Sequence, residues 1–232
     1  MIEFSVKHDI DAAIRQVEAK FRNQVPFATA KALTMTAMIA KQDLYIEMTR
    51  VFDRPTPYTL NSLYVKPATK SSLTALVKLK DATSKGTPAS QYLTPQIAGG
   101  DRQFKRFERA LYRGGYLPPG HYAVPGRAAR FDAYGNVSSG QITQILSYLK
   151  TNPDQQQNRT ARSSKRAPKR GGYFVGRPGN YKPLGVWQRT ASGNVLPILI
   201  FVPFVLYQKV FDFSGVVKRA IERNMMQIGR AH

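Results

Sequence analysis

The run Val195–Tyr207 (VLPILIFVPFVLY) constrains this chain more than any other feature. Its 13 apolar residues cannot face water, and Pro197 and Pro203 interrupt it. A bilayer span needs about 20 such residues, so the run is read as a strand and not as a membrane segment. Val195–Val202 has no polar alternation, which means that both of its faces need cover. Pro203 ends its ladder, because proline has no N–H to donate. Ser192-Gly193-Asn194 reads as the hairpin turn that feeds it from a preceding strand, Val186–Arg189. Tyr173–Val175 is a further short strand.

The cover has to come from helices. Asp9 and Asp11 suit a helix start, where the dipole favours negative charge. Ile10, Ile14, Val17 and Phe21 follow at helical spacing, and that helix is expected to end near Asn23, before the Val25-Pro26 step. A second helix is predicted from Pro26 to about Arg50, with Pro26 in its first turn. Small and apolar residues lie on several of its faces, so Met35, Met38 and Ile39 are expected at a core or subunit interface. Arg54-Pro-Thr-Pro breaks it. Thr59–Pro67 and Ser71–Leu79 then read as a hairpin turned at Lys70-Ser71-Ser72.

Asp81–Ser90 reads as a polar loop, Gln91–Asp101 contains Pro95 and the pair Gly99-Gly100, and Asp101 to about Arg113 reads as a helix with Arg102, Lys105, Arg106 and Arg109 on a basic side. Gly114–Gly126 (GGYLPPGHYAVPG) is too rich in Gly and Pro for a helix or a central strand. Its Tyr116 and Tyr122 are candidate partner contacts on an ordered loop. Arg127–Ala133 reads as a short strand, Ala133–Asn136 as a turn and Ser138–Leu149 as a helix. Phe211–Gln227 is the terminal helix. The expected fold class is α+β: long N-terminal helices and a C-terminal helix packed on a small, mostly antiparallel sheet, with a loop-rich insertion. The expected division is 1–81, 82–172 and 173–232, the last segment completing a core begun by the first.

Charge separates the chain further. Residues 1–53 hold seven basic and seven acidic side chains, so the net charge of +21 lies wholly in 54–232. Arg159, Arg162, Lys165, Arg166, Lys169 and Arg170 form the densest cluster, among Gln, Asn and Ser that cannot build a core. The segment is expected to be a mobile basic loop that meets phosphates or an acidic protein surface. Hydrophobic residues make up 42% of the chain, too many for a disordered polycation.

Chemistry-bearing motifs are absent. There is no Cys, and the three His (His8, His121, His232) show no metal-ligand spacing. No phosphate-binding glycine loop and no G-x-S-x-G occurs. Asp43 and Glu47 share a helix face, but with Lys41 and Arg50 nearby they read as solvated ion-pair partners. His121 reads as a hydrogen-bonded loop residue and not as a base. The expectation is a protein that is not an enzyme and needs no cofactor or metal. The acidic N-terminus lacks an apolar signal segment, so synthesis in the cytoplasm is expected.

Two segments carry a resemblance. Val25–Arg50 (VPFATAKALTMTAMIAKQDLYIEMTR) and Trp187–Asn224 (WQRTASG…LPILIFVPFVLYQKVFDF…VVKRAIERN) resemble the minor tail protein Z family of tailed bacteriophages, a tail-completion or neck group. Pro118–Leu149 is similar to other phage tail proteins. The resemblance implies a structural virion protein at the head–tail junction or upper tail, present as several copies around the axis. It implies contacts with neck, portal or tail-tube proteins and self-association into a ring. Contact with genomic DNA would be non-specific, with no membrane involved. The alternative from charge alone is a stand-alone nucleic-acid-binding protein, which also fits the interleaved Tyr and Phe.

Overall fold

The computed structural model describes residues 6–83, 86–160, 162, 172–179 and 183–230, with side chains except at 6–14, 19, 23 and 225–230. The fold is α+β with antiparallel sheets, as its sequence implies. The chain forms two compact units. The first holds residues 1–90 and 210–232, and the second holds 91–209. This corrects the expected division into 1–81, 82–172 and 173–232. The C-terminal strands join the middle segment instead of completing the N-terminal core, and only the last helix returns to the first unit. The reason lies in β-pairing. The apolar strand finds its partners within 122–189, so those segments form one sheet.

In the first unit, α1 runs unbroken from Val6 to Val51, and Pro26 lies inside it. The predicted break before Pro26 does not occur. A proline within a helix forfeits the hydrogen bond to the carbonyl four residues back. Here that residue is Arg22, which is exposed, so solvent can reach the carbonyl. At about 1.5 Å per residue, the 46 residues span roughly 69 Å. Among its described side chains, the buried ones lie in the later half. Ala37, Ala40, Leu44 and Met48 recur at helical spacing and are buried. They pack against the terminal helix α6 (Phe213–Arg230) and the hairpin of β1 (Leu63–Lys66) and β2 (Leu76–Leu79).

That hairpin is shorter than expected. Pro57–Leu60 is a turn of helix, α2, capped by the Thr56 side chain, which accepts from the Thr59 amide. The turn sits at Thr69–Ser72, whose backbones exchange two hydrogen bonds. Thr34 Oγ1 accepts from the Ala68 amide at 3.1 Å and pins the hairpin to α1. Asp43 on α1 accepts from Arg223 on α6 at 2.6 Å. Phe52 meets Phe211 edge to face, with 5.6 Å between centroids.

The second unit is a four-stranded antiparallel sheet ordered β4-β7-β6-β5. These strands are Tyr122–Pro125 (β4), Tyr173–Gly176 (β5), Gly185–Arg189 (β6) and Val195–Val202 (β7). The apolar strand β7 is therefore internal, with a neighbour on each side. Leu199 and Phe201 are buried on one face, whereas Ile200 and Val202 on the other are half-buried, so the expected full cover of both faces is only partly met. Pro197 is absorbed by an irregularity: Val186 pairs with Leu199 and Trp187 with Pro197, leaving Ile198 as the extra residue of a bulge. Gly185 passes so close to the Leu199 carbonyl that a Cβ there would collide with it. The Gly/Pro-rich segment supplies β4, which is an edge strand and so tolerates Pro125.

Helices α4 (Arg106–Arg113) and α5 (Ser139–Tyr148) complete this core with Leu111, Ile145 and Leu146. Gln91–Asp101, marked in sequence only by Pro95 and Gly99-Gly100, is mostly helical. Ala89–Ala98 is helix α3 despite Pro95, and Leu93 on it is buried. The pair β3 (Gly100–Asp101) and β8 (Leu206–Tyr207) forms a small antiparallel ladder. The expected strand over Arg127–Ala133 is reduced to one bridge, Phe131 to Val137. It flanks a turn in which Asp132 Oδ1 accepts from the amides of Tyr134 and Asn136.

The helix predicted from Asp101 starts only at Arg106, and Glu108 explains why. Its carboxylate accepts from the Lys105 amide at 2.6 Å, fixing the helix start. It also accepts from Arg102, which stays outside the helix to reach it (Nη1 to Oε2, 2.7 Å), and from the Ala123 amide of β4 at 2.8 Å. Glu108 is fully buried and Arg102 nearly so. Burial works against the Arg102 charge, but the Glu108 carboxylate outweighs it and holds the guanidinium above its ordinary pKa. Removing one member of such a pair leaves an uncompensated buried charge, which typically costs about 3–5 kcal/mol. Glu108→Ala is therefore expected to lower the unfolding free energy by about that amount, measured by urea denaturation followed through the buried Trp187.

Candidate functional site

The second unit holds 18 Lys and Arg against four Asp and Glu, a net +14 of the chain's +21. Only one of its four acids, Glu108, is buried, and it is paired with Arg102. Asp101, Asp132 and Asp154 are exposed. Asp132 accepts turn amides. Asp154 accepts from the Gln156 amide at 3.1 Å and from the Gln157 side chain at 2.9 Å. Four acids cannot balance 18 bases, so this unit carries a strong net positive charge.

One part of that field is built on a regular element. On α4, Glu108, Ala110 and Leu111 point inward, and Arg106, Arg109 and Arg113 are exposed. Their spacing of three and four residues puts them on one helix face. Tyr112, 52% exposed, stands beside them. The basic side of this helix is thus legible in sequence, but its membership differs from the expected one. Arg102 is drawn into the buried pair, and Arg113 takes its place. The 3–4 spacing from Arg106 through Arg109 to Arg113 was the available signal.

The residues singled out from sequence fall in different places. Arg159 is half-buried. Its guanidinium carbon lies 3.6 Å from the centroid of the Tyr148 ring, and its amide donates to the Ser147 carbonyl at 3.3 Å. The expected mobile loop therefore does not begin at Arg159. The approach to it is a tight turn in which Asn158 Oδ1 accepts from the Asn152 amide at 3.0 Å. Arg162 is exposed, whereas Lys165, Arg166, Lys169 and Arg170 lie outside the described residues.

Tyr122 is not on a free loop. It belongs to β4, stacks on Phe104 with centroids 4.9 Å apart, and carries Arg102 4.9 Å from its ring centroid. Tyr116 is half-buried against the sheet core. Both rings therefore serve packing first. Met35 and Met38 are 54% and 57% exposed and Ile39 is half-buried, so the two Met side chains are outside the core of the chain. The sole Trp, Trp187, is buried and donates through Nε1 to the Gly176 carbonyl at 3.0 Å, as a sheet anchor does.

Asp43 and Glu47 are both held in ion pairs with arginines. Glu47 makes a two-armed ion pair with Arg50, which holds its carboxyl below the usual range, and Asp43 meets Arg223. His121 lies against the Pro119 carbonyl, with Nδ1 at 2.9 Å. Among the described residues, no group of three His, Asp or Glu is placed to hold a metal ion. No helix among them is long and apolar enough to cross a membrane. No family model matches the chain, and comparison with curated proteins and with solved structures gives no match either.

Exposed guanidinium groups on one helix face can pair with anionic groups. Arg106→Ala/Arg109→Ala/Arg113→Ala is expected to elute from heparin at lower salt than the parent chain. Its urea midpoint should be unchanged, because all three side chains are exposed. On duplex DNA, each arginine that neutralises a phosphate should account for about 0.9 of the log–log salt slope, so the slope of the triple variant should be shallower.

Proposed function

We propose that this chain is a structural virion protein of a tailed bacteriophage, acting at the head–tail junction or upper tail as a tail-completion or neck component. Several copies would sit around the particle axis and contact neck, portal or tail-tube proteins. The observation that carries this reading is the separation of two surface types between two units. One unit projects a long helix with large apolar residues exposed, including Val17, Phe21, Met35 and Met38. The other is strongly basic, with 18 Lys and Arg against four acids, one of them buried. An assembly protein needs both: apolar faces for packing among copies and charge for orienting on a neighbour. The resemblance of Val25–Arg50 and Trp187–Asn224 to the minor tail protein Z family supports the same reading.

The basic unit also favours a second reading, a stand-alone nucleic-acid-binding protein. The two readings predict different behaviour. A junction protein binds free DNA weakly and without sequence preference. A dedicated binder does so tightly, with a steep salt dependence. The deciding experiment is electron microscopy of lysates from the phage carrying an early stop codon in this gene. Separate heads and tails, or heads that have leaked DNA, are the expected outcome. Complete virions of normal shape would overturn the junction role.

A further inference from the structure

Two surfaces of the first unit lack cover, and each has what the other needs. The earlier part of α1 exposes Val17, Phe21 and Val25 at 54%, 66% and 50%, one turn apart on one face. Further along, an apolar groove of about 750 Å³ opens between α1, β2 and α6. Its walls include Ala32, Ala37 and Ala40 of α1, Val77 of β2, and Val217 and Ile221 of α6. Small side chains on one wall leave room for large ones, and the helical arm carries large ones with room around them.

The arm cannot fill the groove of its own chain. Phe21 and Ala37 lie on the same unbroken helix, 16 residues and therefore about 24 Å apart along its axis. The arm that occupies a given groove has to come from another copy. We propose that the Val17–Val25 arm of one copy docks in the α1–β2–α6 groove of the next.

Charge fixes the direction. The groove is rimmed by Lys218 and Glu222, four residues apart on α6 and both exposed. The arm carries Glu18 and Arg22, also four apart and exposed. With the arm parallel to α6, Glu18 faces Lys218 and Arg22 faces Glu222. Reversing the arm sets Glu18 against Glu222 and Arg22 against Lys218, so like charges meet. The contact of one copy with the next is heterologous, because two different surface patches, arm and groove, meet in it. Such a contact closes into a ring when the rotation between copies allows it. The inference goes beyond the proposed function and does not need it. The chain can self-associate whether or not its loss splits particles, so the two tests fail separately.

The chain has no cysteine, which makes introduced cysteines specific reporters. Phe21→Cys and Ile221→Cys are made in separate full-length chains and mixed under mild oxidation. The expected result is a disulfide-linked species in the mixture and none in either variant alone. Sedimentation velocity of the parent chain should show concentration-dependent association. Phe21→Glu, at an exposed position, should weaken it at least tenfold with unchanged far-UV circular dichroism. Glu18→Lys should weaken it several-fold, and adding Lys218→Glu should restore it. A parent chain that stays monomeric up to high micromolar concentration overturns the proposal. Cross-linking of Phe21→Cys with itself also overturns it, because arms would then pair with arms.

Discussion

A carboxylate with no exposure must have its charge answered from every side, and around Glu108 the second unit is arranged to do so. The side chain receives Arg102 from the end of β3, the Lys105 amide from the start of α4, and the Ala123 amide from β4. Those three donors belong to three different elements. The carboxylate therefore sets where α4 begins and holds it against the strand that edges the sheet. Because β4 in turn pairs with β7, the constraint reaches the most apolar strand of the chain. Arg102 gains a second neighbour in the Tyr122 ring, so the same pair orders the aromatic cluster with Phe104. Buried ion pairs are weak sources of net stability but costly to break. The role of this one is to specify geometry.

The first unit rests on a different balance. Its core is a seam in which Ala37, Ala40, Leu44 and Met48 of α1 face α6 and the β1–β2 hairpin. Alanines let backbones approach, and Leu44 and Met48, both fully buried, fill what remains. Beyond this seam α1 continues as an exposed helix. Isolated helices are marginal in water, and most helical stability in proteins comes from packing. An exposed arm bearing Val17, Phe21 and Val25 therefore has a physical reason to acquire a partner. The groove on the same unit is apolar and open, so both needs can be met by one contact between copies.

The basic surface follows first from composition, eighteen basic residues against four acids in one unit. Glu108 alone among the acids is buried, where it answers the Arg102 guanidinium. Asp132 and Asp154 stay exposed and accept from local turn amides, so their charge offsets only a small part of the excess. Arg159 shows that some of the basic residues are also taken up by packing, since its guanidinium rests on Tyr148.

Several features were legible in the sequence because they depend on local rules. Val195–Val202 has to be an internal strand, since no polar alternation offers it a wet face. The terminal helix follows from apolar spacing and the 192–194 turn from its glycine. The excess of Arg and Lys after residue 53 is likewise a property of composition. Other features were decided by contacts between distant segments. Pro26 stands apart from these: local rules break the helix before it, yet α1 passes through, with the freed Arg22 carbonyl open to solvent. Arg102 reads as one more exposed cation until Glu108 claims it, which shortens α4 and moves its basic face to Arg106, Arg109 and Arg113. Tyr122 becomes a strand residue because β7 needs an edge partner. The C-terminal strands leave the N-terminal helices for the same reason, because hydrogen-bond partners are chosen by the ladder that closes and not by proximity in sequence. The apolar pattern determined which segments must be buried, and only the tertiary structure decided against what.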